Sequence, residues 1–265
     1  MYSFTYHRPT SLAAAAQLAA EADAKLLAGG QTLIPTMKQR LASPSVIVDL
    51  SRIAELSGIA REGDAIVIGA MTRHADVATS SLVRQTIPAL AALAEEIGDP
   101  QVRNQGTIGG SLANNDPAAD YPAAVLALGA TIVTNKREIP AQDFFKGLFE
   151  TALAAGEIIT KARFPIPRQA AYQKFPNPAS RYAIVGVFVA KTAGGVRVAV
   201  TGAGVNGVFR AGALESALTS NFAPSAIAGV KVSADGLNSD IHADAAYRAH
   251  LIGVLAKRAV AAAAG

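Results

Sequence analysis

Short strand and helix signals alternate through the first fifty residues of the sequence, and this alternation restricts the fold more than any other feature. The predicted strands are Phe4–Tyr6, Ala24–Ala28 and Val46–Leu50. An Ala-rich helix capped at Thr10–Ser11 and a second helix over Leu33–Arg40 separate them, since a hydroxyl before an apolar run satisfies the free amides of a first helical turn. Strand–helix–strand order in so short a segment predicts a small α/β unit.

A second unit of the same style is predicted further along the chain. Its elements are the strand Ala65–Ala70, a helix capped by Thr72 and ending at Ala78, the helices Ile87–Ile97 and Pro122–Leu128, and the strand Thr131–Thr134. The segment between the last two helices, residues 98–120, is rich in Gly, Asn and Asp and is predicted to be a loop. A loop of that length inside a compact domain is usually functional.

The character of the sequence changes near residue 160, after which prolines cluster over Phe164–Pro178. The elements predicted there are a hairpin of Ala183–Ala190 with Val196–Thr201, a helix from Gly212, and a long helix from Asp244 to Ala263. We therefore predict an α+β protein. Two small α/β subdomains, residues 1–55 and 56–160, precede a C-terminal domain of antiparallel sheet and helices, residues 161–265.

The sequence contains no cysteine, and its four histidines, His7, His74, His242 and His250, are scattered. Disulfides, zinc–thiolate sites and iron–sulfur ligation by thiolates are thereby excluded on this chain. None of the histidines lies in a recognisable ligand cluster. We expect no metal site here.

Charge and hydropathy exclude two further classes of function. Lysine and arginine exceed aspartate and glutamate by four, and no basic run concentrates that excess, so no nucleic-acid partner is expected. The longest charge-free apolar stretch, around Tyr121–Asn135, is shorter than the roughly 20 residues that cross a bilayer. The opening MYSFTYHRPT has no basic region ahead of an apolar block. We expect a cytoplasmic protein without a membrane span.

The motif AGGQTLIP, residues 28–35, places two glycines and a hydroxyl between a predicted strand and a predicted helix. A diphosphate needs close backbone approach, free amides and the positive end of a helix dipole. Gly29 and Gly30 allow the approach, while Gln31 and Thr32 offer donors. The alternative is an ordinary tight turn, because short glycine motifs are weak signals.

The motif TIGGSLA, residues 107–113, repeats this arrangement on the second unit, and Asp116 and Asp120 follow it. A carboxylate near a nucleotide commonly accepts hydrogen bonds from ribose hydroxyls. Two such motifs on two α/β units predict one extended dinucleotide lying between them. Two unrelated turns are the alternative.

Other candidate motifs are interpreted as structural. Residues 202–207, GAGVNG, have the spacing G-x-G-x-x-G but follow the return strand of a predicted hairpin. The dinucleotide fingerprint needs a parallel strand–helix–strand unit, so we interpret this segment as a loop. His74 is interpreted as a helix-start residue, and Glu95–Glu96 are adjacent helical residues that do not face one another.

Lys174 and Tyr182 flank a bend rich in proline and serine that leads into a strand. A lysine there could reach a phosphate or the edge of a flavin, and a tyrosine could stack on a ring. A surface lysine and an interface tyrosine are the alternative interpretation.

Taken together, AGGQTLIP, VIVDLSRI, IGAMTRHADV, RNQGTIGGSLANNDPAADYPAAVLALGA and YQKF…SRYAIVGV resemble a known family. The sequence is similar to the FAD-binding medium subunit of the molybdenum hydroxylases, the xanthine dehydrogenase and carbon monoxide dehydrogenase superfamily. The resemblance covers essentially the whole chain in the same order. It implies two subdomains of the PCMH-type FAD-binding fold that clasp FAD, and a C-terminal domain of the type found in carbon monoxide dehydrogenase flavoproteins.

Position by position, the resemblance implies a set of FAD-binding residues on this chain. These are Ala28, Gly29, Gly30, Gln31, Thr32 and Leu33 in the first motif, Thr107, Gly109, Gly110 and Ser111 in the second, and Ile97, Gly98, Asp120, Ile159, Lys174 and Tyr182 elsewhere. Asp120 matches an acidic residue near the ribose and adenine end of FAD. Lys174 matches a lysine near the flavin, and Tyr182 matches a tyrosine beside its ring system.

The resemblance also implies partners. A large subunit would carry molybdenum bound to molybdopterin, a small subunit would carry two [2Fe–2S] clusters, and the family habit is a dimer of heterotrimers. Electrons would reach the FAD of this chain from the clusters and leave to an external acceptor, so no catalytic residue is expected on this chain. The substrate, the acceptor and covalent attachment of FAD stay open. The alternatives are a stand-alone FAD- or nucleotide-binding accessory protein and a self-contained flavin oxidase.

Overall fold

The first unit is a three-stranded parallel sheet flanked by two helices. The computed structural model of the chain describes residues 1–264. The elements of this unit are β1 (Thr5–His7), α1 (Leu12–Ala19), β2 (Ala24–Leu27), α2 (Leu33–Lys38) and β3 (Val46–Asp49). Their order in the sheet is β1-β3-β2, with both pairings parallel. Because β2 runs directly into residues 28–32, the first glycine motif lies at the carboxyl edge of the sheet.

The second unit contains a five-stranded sheet covered by helices. Its elements are β4 (Ile59–Glu62), β5 (Ala65–Gly69), α3 (His74–Thr79), α4 (Ser81–Thr86), α5 (Pro88–Glu95), α6 (Pro100–Gln105), α7 (Ile108–Asn114), α8 (Tyr121–Leu128), β6 (Thr131–Thr134), β7 (Glu138–Pro140), α9 (Ala141–Phe144), β8 (Phe145–Gly147), β9 (Glu150–Thr151) and β10 (Ile159–Pro165). The sheet order is β4-β5-β10-β6-β7, with every pairing antiparallel, and β8 and β9 form a separate two-stranded sheet. Every residue of α8 is buried, because this helix lies between two sheets.

The prediction of a loop over residues 98–120 is wrong, because α6 and α7 lie within it. Asp99 caps α6 by accepting a hydrogen bond from the Val102 amide at 2.8 Å, and Pro100 occupies the first helical position, where it needs no amide partner. Thr107 caps α7 through the Gly110 amide at 3.2 Å. Because Gly, Asn and Asp are abundant here, the sequence pattern predicted a loop, although each of the two short helices begins after a capping residue.

Helix α3 starts at His74, as predicted, but Thr72 does not cap it. The Thr72 hydroxyl instead accepts from the Gly58 amide at 3.0 Å and donates to the Gly58 carbonyl at 3.1 Å. Thr72 therefore joins the strand-end turn of β5 to the turn before β4.

The third unit is a four-stranded antiparallel sheet with helices on both faces. Its elements are β11 (Gln169–Pro176), β12 (Ala183–Thr192), β13 (Gly195–Thr201), β14 (Phe209–Arg210), α10 (Gly212–Ser220) and α11 (Ala245–Ala264). Helices α10 and α11 pack on one face, and α5 and α8 of the second unit pack on the other. Strand β12 is apolar at nearly every position because both of its faces are buried.

The predicted hairpin of β12 and β13 is confirmed, and so is the loop at residues 202–207, which follows an antiparallel strand. Strand β11 was not predicted, because prolines surround it. Pro176 ends the strand at a register shift, where a missing amide does not interrupt the ladder.

The division into three units stays a proposal, and we move its second boundary. Strand β10 spans residue 160 and pairs with both β5 and β6, so a boundary at 160 would cut a central strand. We propose that the third unit begins after Pro165. Among residues 1–264, no helix combines the length and the apolar character that a bilayer crossing requires.

Candidate functional site

A cavity of about 580 Å³ opens where the three units meet. Fifteen of the sixteen predicted FAD-binding residues line it: Ala28, Gly29, Gly30, Gln31, Thr32, Leu33, Ile97, Gly98, Thr107, Gly109, Gly110, Ser111, Asp120, Ile159 and Tyr182. These residues span more than 150 positions of the sequence, so the fold brings them together.

The first glycine motif packs tightly against the second unit. Gly30 has φ +71°, and a Cβ there would lie 2.6 Å from the Ile34 side chain, so the position needs glycine. A Cβ on Gly29 would lie 2.2 Å from the Gln105 carbonyl oxygen. Gly29 therefore allows protein backbone, rather than a ligand, to approach closely.

The amides of the first motif are free. Across the described chain, the backbone amides of Gly29, Gly30, Gln31 and Thr32 donate to no protein acceptor. Four consecutive unpaired amides at a cavity wall, just before the start of α2, form a donor set suited to an anion. This is the feature expected of a diphosphate-binding loop.

The second glycine motif differs from the first, although the sequences look alike. Gly109 and Gly110 lie in the first turn of α7, and their amides donate to the Ala70 carbonyl and the Thr107 hydroxyl. A Cβ on Gly109 would lie 2.5 Å from the Ala70 Cβ, so this glycine packs the helix on β5. The motif presents the small surface of Gly110 and the Ser111 side chain to the cavity, and a Cβ on Gly110 would lie 3.5 Å from the Ala28 Cβ of the opposite motif.

Asp120 stands at the cavity wall, held by residues of β11. Its Oδ1 accepts from the Tyr172 hydroxyl at 2.5 Å, and its Oδ2 accepts from Lys174 Nζ at 3.0 Å. Burial raises the pKa of Asp120, with Lys174 and the Tyr172 hydrogen bond acting in the opposite direction. Lys174 is the one predicted residue outside the cavity lining; it lies behind Asp120 and also donates to the Glu96 carbonyl at 3.1 Å.

Tyr182 forms part of the cavity rim beside Asp116. The bend before Tyr182 is shaped by the Asn177 side chain, which accepts from the Ala179 and Ser180 amides at 2.9 and 3.1 Å. Burial, followed by the charges of Asp116 and Asp120, raises the pKa of Tyr182. The side chain is half exposed, so one face remains open to a ligand.

His74 lies in the cavity wall, buried against Tyr121 with ring centroids 5.4 Å apart. Its Nδ1 has no hydrogen-bond partner within residues 1–264. Burial, with a smaller contribution from the Arg103 guanidinium, lowers the pKa of His74 to about 4, so its ring is neutral at neutral pH. A group with that pKa is not a base poised for chemistry near neutrality.

The β8–β9 hairpin forms another part of the rim. Asn115, in the left-handed conformation at the end of α7, donates to the carbonyls of Gly147 and Glu150 at 2.7 and 2.8 Å. These bonds hold Phe149, which lines the cavity while 60% exposed.

Sequence reasoning missed Tyr172, Asn115 and Phe149. A buried tyrosine looks like any core residue in the sequence, and β11 was itself not predicted. Asn115 carried a weak signal, because asparagine favours left-handed helix ends.

Comparison with known proteins identifies the family of the chain. The family described as "FAD binding domain in molybdopterin dehydrogenase" matches residues 2–167. The chain belongs to this family. The carbon monoxide dehydrogenase medium chain of Hydrogenophaga pseudoflava is 37% identical to it over 277 residues, covering 98% of this chain and 96% of the relative.

Two further matches extend the likeness over the full length. The nicotine 6-hydroxylase medium subunit of Paenarthrobacter nicotinovorans is 37% identical, covering 96% of this chain and 95% of the relative. A chain of the Hydrogenophaga pseudoflava carbon monoxide dehydrogenase structure lacking the Mo-pyranopterin moiety superposes with a TM-score of 0.87 at 38% identity, covering 99% and 97% of the two chains. The protein is thus an FAD-binding medium subunit of the molybdenum hydroxylase family, and the resemblance found in its sequence is confirmed.

The residues present fit FAD. The free amides of Gly29 to Thr32 suit its diphosphate, and Asp120 suits a donor on its sugar or ring groups. The Tyr182 ring offers a flat surface and the Ile97 side chain an apolar one, and a ring of FAD can pack against both.

Proposed function

We propose that this chain is the electron-transfer subunit of a three-subunit molybdenum hydroxylase and holds FAD in the cavity between its three units. Electrons reach it from [2Fe–2S] clusters of a small partner subunit and leave to an external acceptor. The observation that carries the FAD assignment is the row of four unpaired amides, Gly29 to Thr32, at the wall of a cavity built from all three units.

FAD, when bound, supplies a carrier that exchanges one or two electrons. The residues of this chain bind and orient it. The amides of the first motif hold the diphosphate, Gly110 and Ser111 of the second motif face it from across the cavity, and Asp120 accepts a hydrogen bond from it. The assignment of the sixteen predicted residues to FAD is part of this proposal.

Two titratable side chains of the cavity are committed to contacts within the protein rather than to the turnover of a substrate. His74 is neutral and packed against Tyr121, and Asp120 is engaged by Tyr172 and Lys174. We therefore assign substrate oxidation to molybdenum on a large partner subunit. The relatives include medium subunits of enzymes named for carbon monoxide and for nicotine. We further propose a dimer of heterotrimers in the cytoplasm.

Purification from the native host without dissociating partners tests the proposal. We expect flavin absorption together with iron and molybdenum, two further chains in equal amount, and a mass equal to two heterotrimers. Flavin in the isolated chain with no iron or molybdenum in any preparation would favour a stand-alone flavoprotein. Substrate turnover by the isolated chain would favour a self-contained oxidase, and absence of flavin from the intact complex would contradict the cavity assignment.

A further inference from the structure

Both carboxylate oxygens of Asp120 are held by residues of one strand in another unit. Asp120 precedes α8 in the second unit, whereas Tyr172 and Lys174 lie two positions apart on β11. Residues two apart on a strand point to the same face of the sheet. Tyr172 and Lys174 therefore approach the carboxylate side by side. The Tyr172 Oη lies 2.5 Å from Oδ1, and the Lys174 Nζ lies 2.9 Å from Oδ1 and 3.0 Å from Oδ2.

This arrangement distinguishes Asp120 from the other carboxylates of the cavity. Asp116 is held by the Ala118 amide two residues along its own loop. Glu157 is held by Arg137, Thr134 and the Ala154 amide, all from the second unit. Asp120 alone among these three is oriented from the third unit, by a tyrosine and a lysine whose side chains are buried with it.

The Tyr172 hydroxyl acts as a donor rather than as a titrating group. It is buried, and burial followed by the charge of Asp120 raises its pKa well above the usual value. The hydroxyl thus stays protonated and donates a hydrogen bond to the carboxylate. A hydrogen bond to each oxygen fixes the plane of the carboxylate, so the remaining lone pairs have a set direction.

Glu96, Tyr121 and Tyr182, the other polar groups near Asp120, do not replace the hydrogen bond from the Tyr172 hydroxyl. Glu96 at the end of α5 and Tyr121 beside Asp120 lie within its electrostatic reach, as does Tyr182 at the rim. None of them donates a side-chain hydrogen bond to Asp120 within the described residues. Glu96 is itself a carboxyl group, and burial raises its pKa.

We propose that Tyr172 is a positioning residue of the cofactor site: its hydroxyl, beside Lys174, orients Asp120 so that the carboxylate accepts a hydrogen bond from an N–H or O–H group of bound FAD. This inference rests on the proposed function, since it takes FAD as the occupant of the cavity. It adds a residue of the third unit to cofactor binding.

The test is a double-mutant cycle of Tyr172→Phe and Asp120→Asn in the purified complex. Phenylalanine keeps the ring in its packing and removes only the hydroxyl. The readout is the FAD dissociation constant, from the fluorescence of released FAD, between about pH 5 and pH 8. Tyr247→Phe is the matched control, because Tyr247 is 44% exposed on α11 and packs on Phe175 outside the cavity.

We expect Y172F to weaken FAD binding by about tenfold, the usual effect of losing a hydrogen bond to a charged group. The loss should grow as the pH falls, because Asp120 without the Tyr172 bond takes up a proton more readily. In the D120N background, Y172F should change the constant by less than about twofold, since the two residues act as one unit. Y247F should match the wild type.

An additive effect of Y172F in the D120N background, or an unchanged pH profile, would overturn the proposal. Failure of Y172F to fold while Y247F folds would assign the hydroxyl to stability and also overturn it. If the wild-type complex binds no FAD, the proposed function itself fails. If the wild type binds FAD and D120N binds it equally well, only the role of Tyr172 and Asp120 fails.

Discussion

Gly29 of the first unit lies in direct contact with the backbone of Gln105 in the second unit. A Cβ added to Gly29 would lie 2.2 Å from the Gln105 carbonyl oxygen and 2.6 Å from the Gly106 Cα. Two of the three units that enclose the cavity thus meet through glycine backbone. The spacing between the two glycine motifs depends on this contact.

Gly29→Ala should therefore destabilise the protein by about 3 kcal/mol, at the upper end of overpacking costs, because the atoms in its way are main chain and cannot rotate aside. Urea unfolding of the purified chain measures this. Gly253→Ala is the control: it lies within α11 with no atom within 4 Å of the added Cβ, and it should stabilise the helix by up to about 1 kcal/mol. Equal stability of the two variants would contradict the close packing of Gly29 on the Gln105 backbone.

Gly110→Asp should yield folded protein that lacks flavin. The added Cβ would lie 3.0 Å from the Thr107 Oγ1, a tight but adjustable contact, and an acidic residue is favourable in the first turn of a helix. The carboxylate would face the free amides of the first motif and repel a diphosphate there. The measurement is flavin absorbance per protein, with the far-ultraviolet circular dichroism as the check on folding.

The matched control adds the same charge at the start of another helix, at a residue outside the cavity lining. Gly212→Asp lies at the first position of α10 with open space around it, and it should retain flavin at the wild-type level. Full flavin occupancy in Gly110→Asp would refute the placement of the diphosphate between the two motifs.

Asn115→Ala should loosen the β8–β9 hairpin at the cavity rim. The variant loses the bonds to the Gly147 and Glu150 carbonyls and places alanine at φ +43°, so we expect a cost of about 2–3 kcal/mol. Limited proteolysis should cleave near the exposed Leu148 and Phe149. Asn104→Ala, which loses one exposed bond to the Pro100 carbonyl, should keep the wild-type cleavage pattern; the same new cleavage in both variants would argue against a specific clamp.

The stability of the chain should depend on pH through His74. Its pKa is 6.5 when unfolded and about 4 when folded, so the unfolded state binds more protons between these values. Stability is then fully present above about pH 6.5 and falls as the pH decreases toward 4, by about 2 kcal/mol between roughly pH 7 and pH 5. His74→Gln should flatten this part of the curve of unfolding free energy against pH. A slope that persists in His74→Gln would locate the titrating group elsewhere.

The sequence predicted where the cavity residues lie better than it predicted how they act. The glycine pairs stood out because few other residue types permit close backbone approach, but the residue order does not say whether a ligand or another part of the chain approaches. Gly29 and Gly109 make room for Gln105 and Ala70, and the unpaired amides of the first motif became evident only with the hydrogen bonds.

Helices α6 and α7 and strand β11 were missed for separate physical reasons. Caps at Asp99 and Thr107 were readable in the sequence, yet each helix is so short that turn-forming residues outweigh its few apolar positions. Strand β11 depends on pairing with β12, which is a tertiary effect. The burial of Tyr172 beside Asp120 follows from that same pairing.

Strand β10 is made after both of its neighbours and lies between them in the sheet. On the ribosome, the facing edges of β5 and β6 therefore stay unpaired until Pro165 has left the exit tunnel, and the cavity wall stays incomplete until Tyr182 follows. Unpaired strand edges on a nascent chain invite association with other chains. The proposed FAD site is therefore complete only in the last part of synthesis or later.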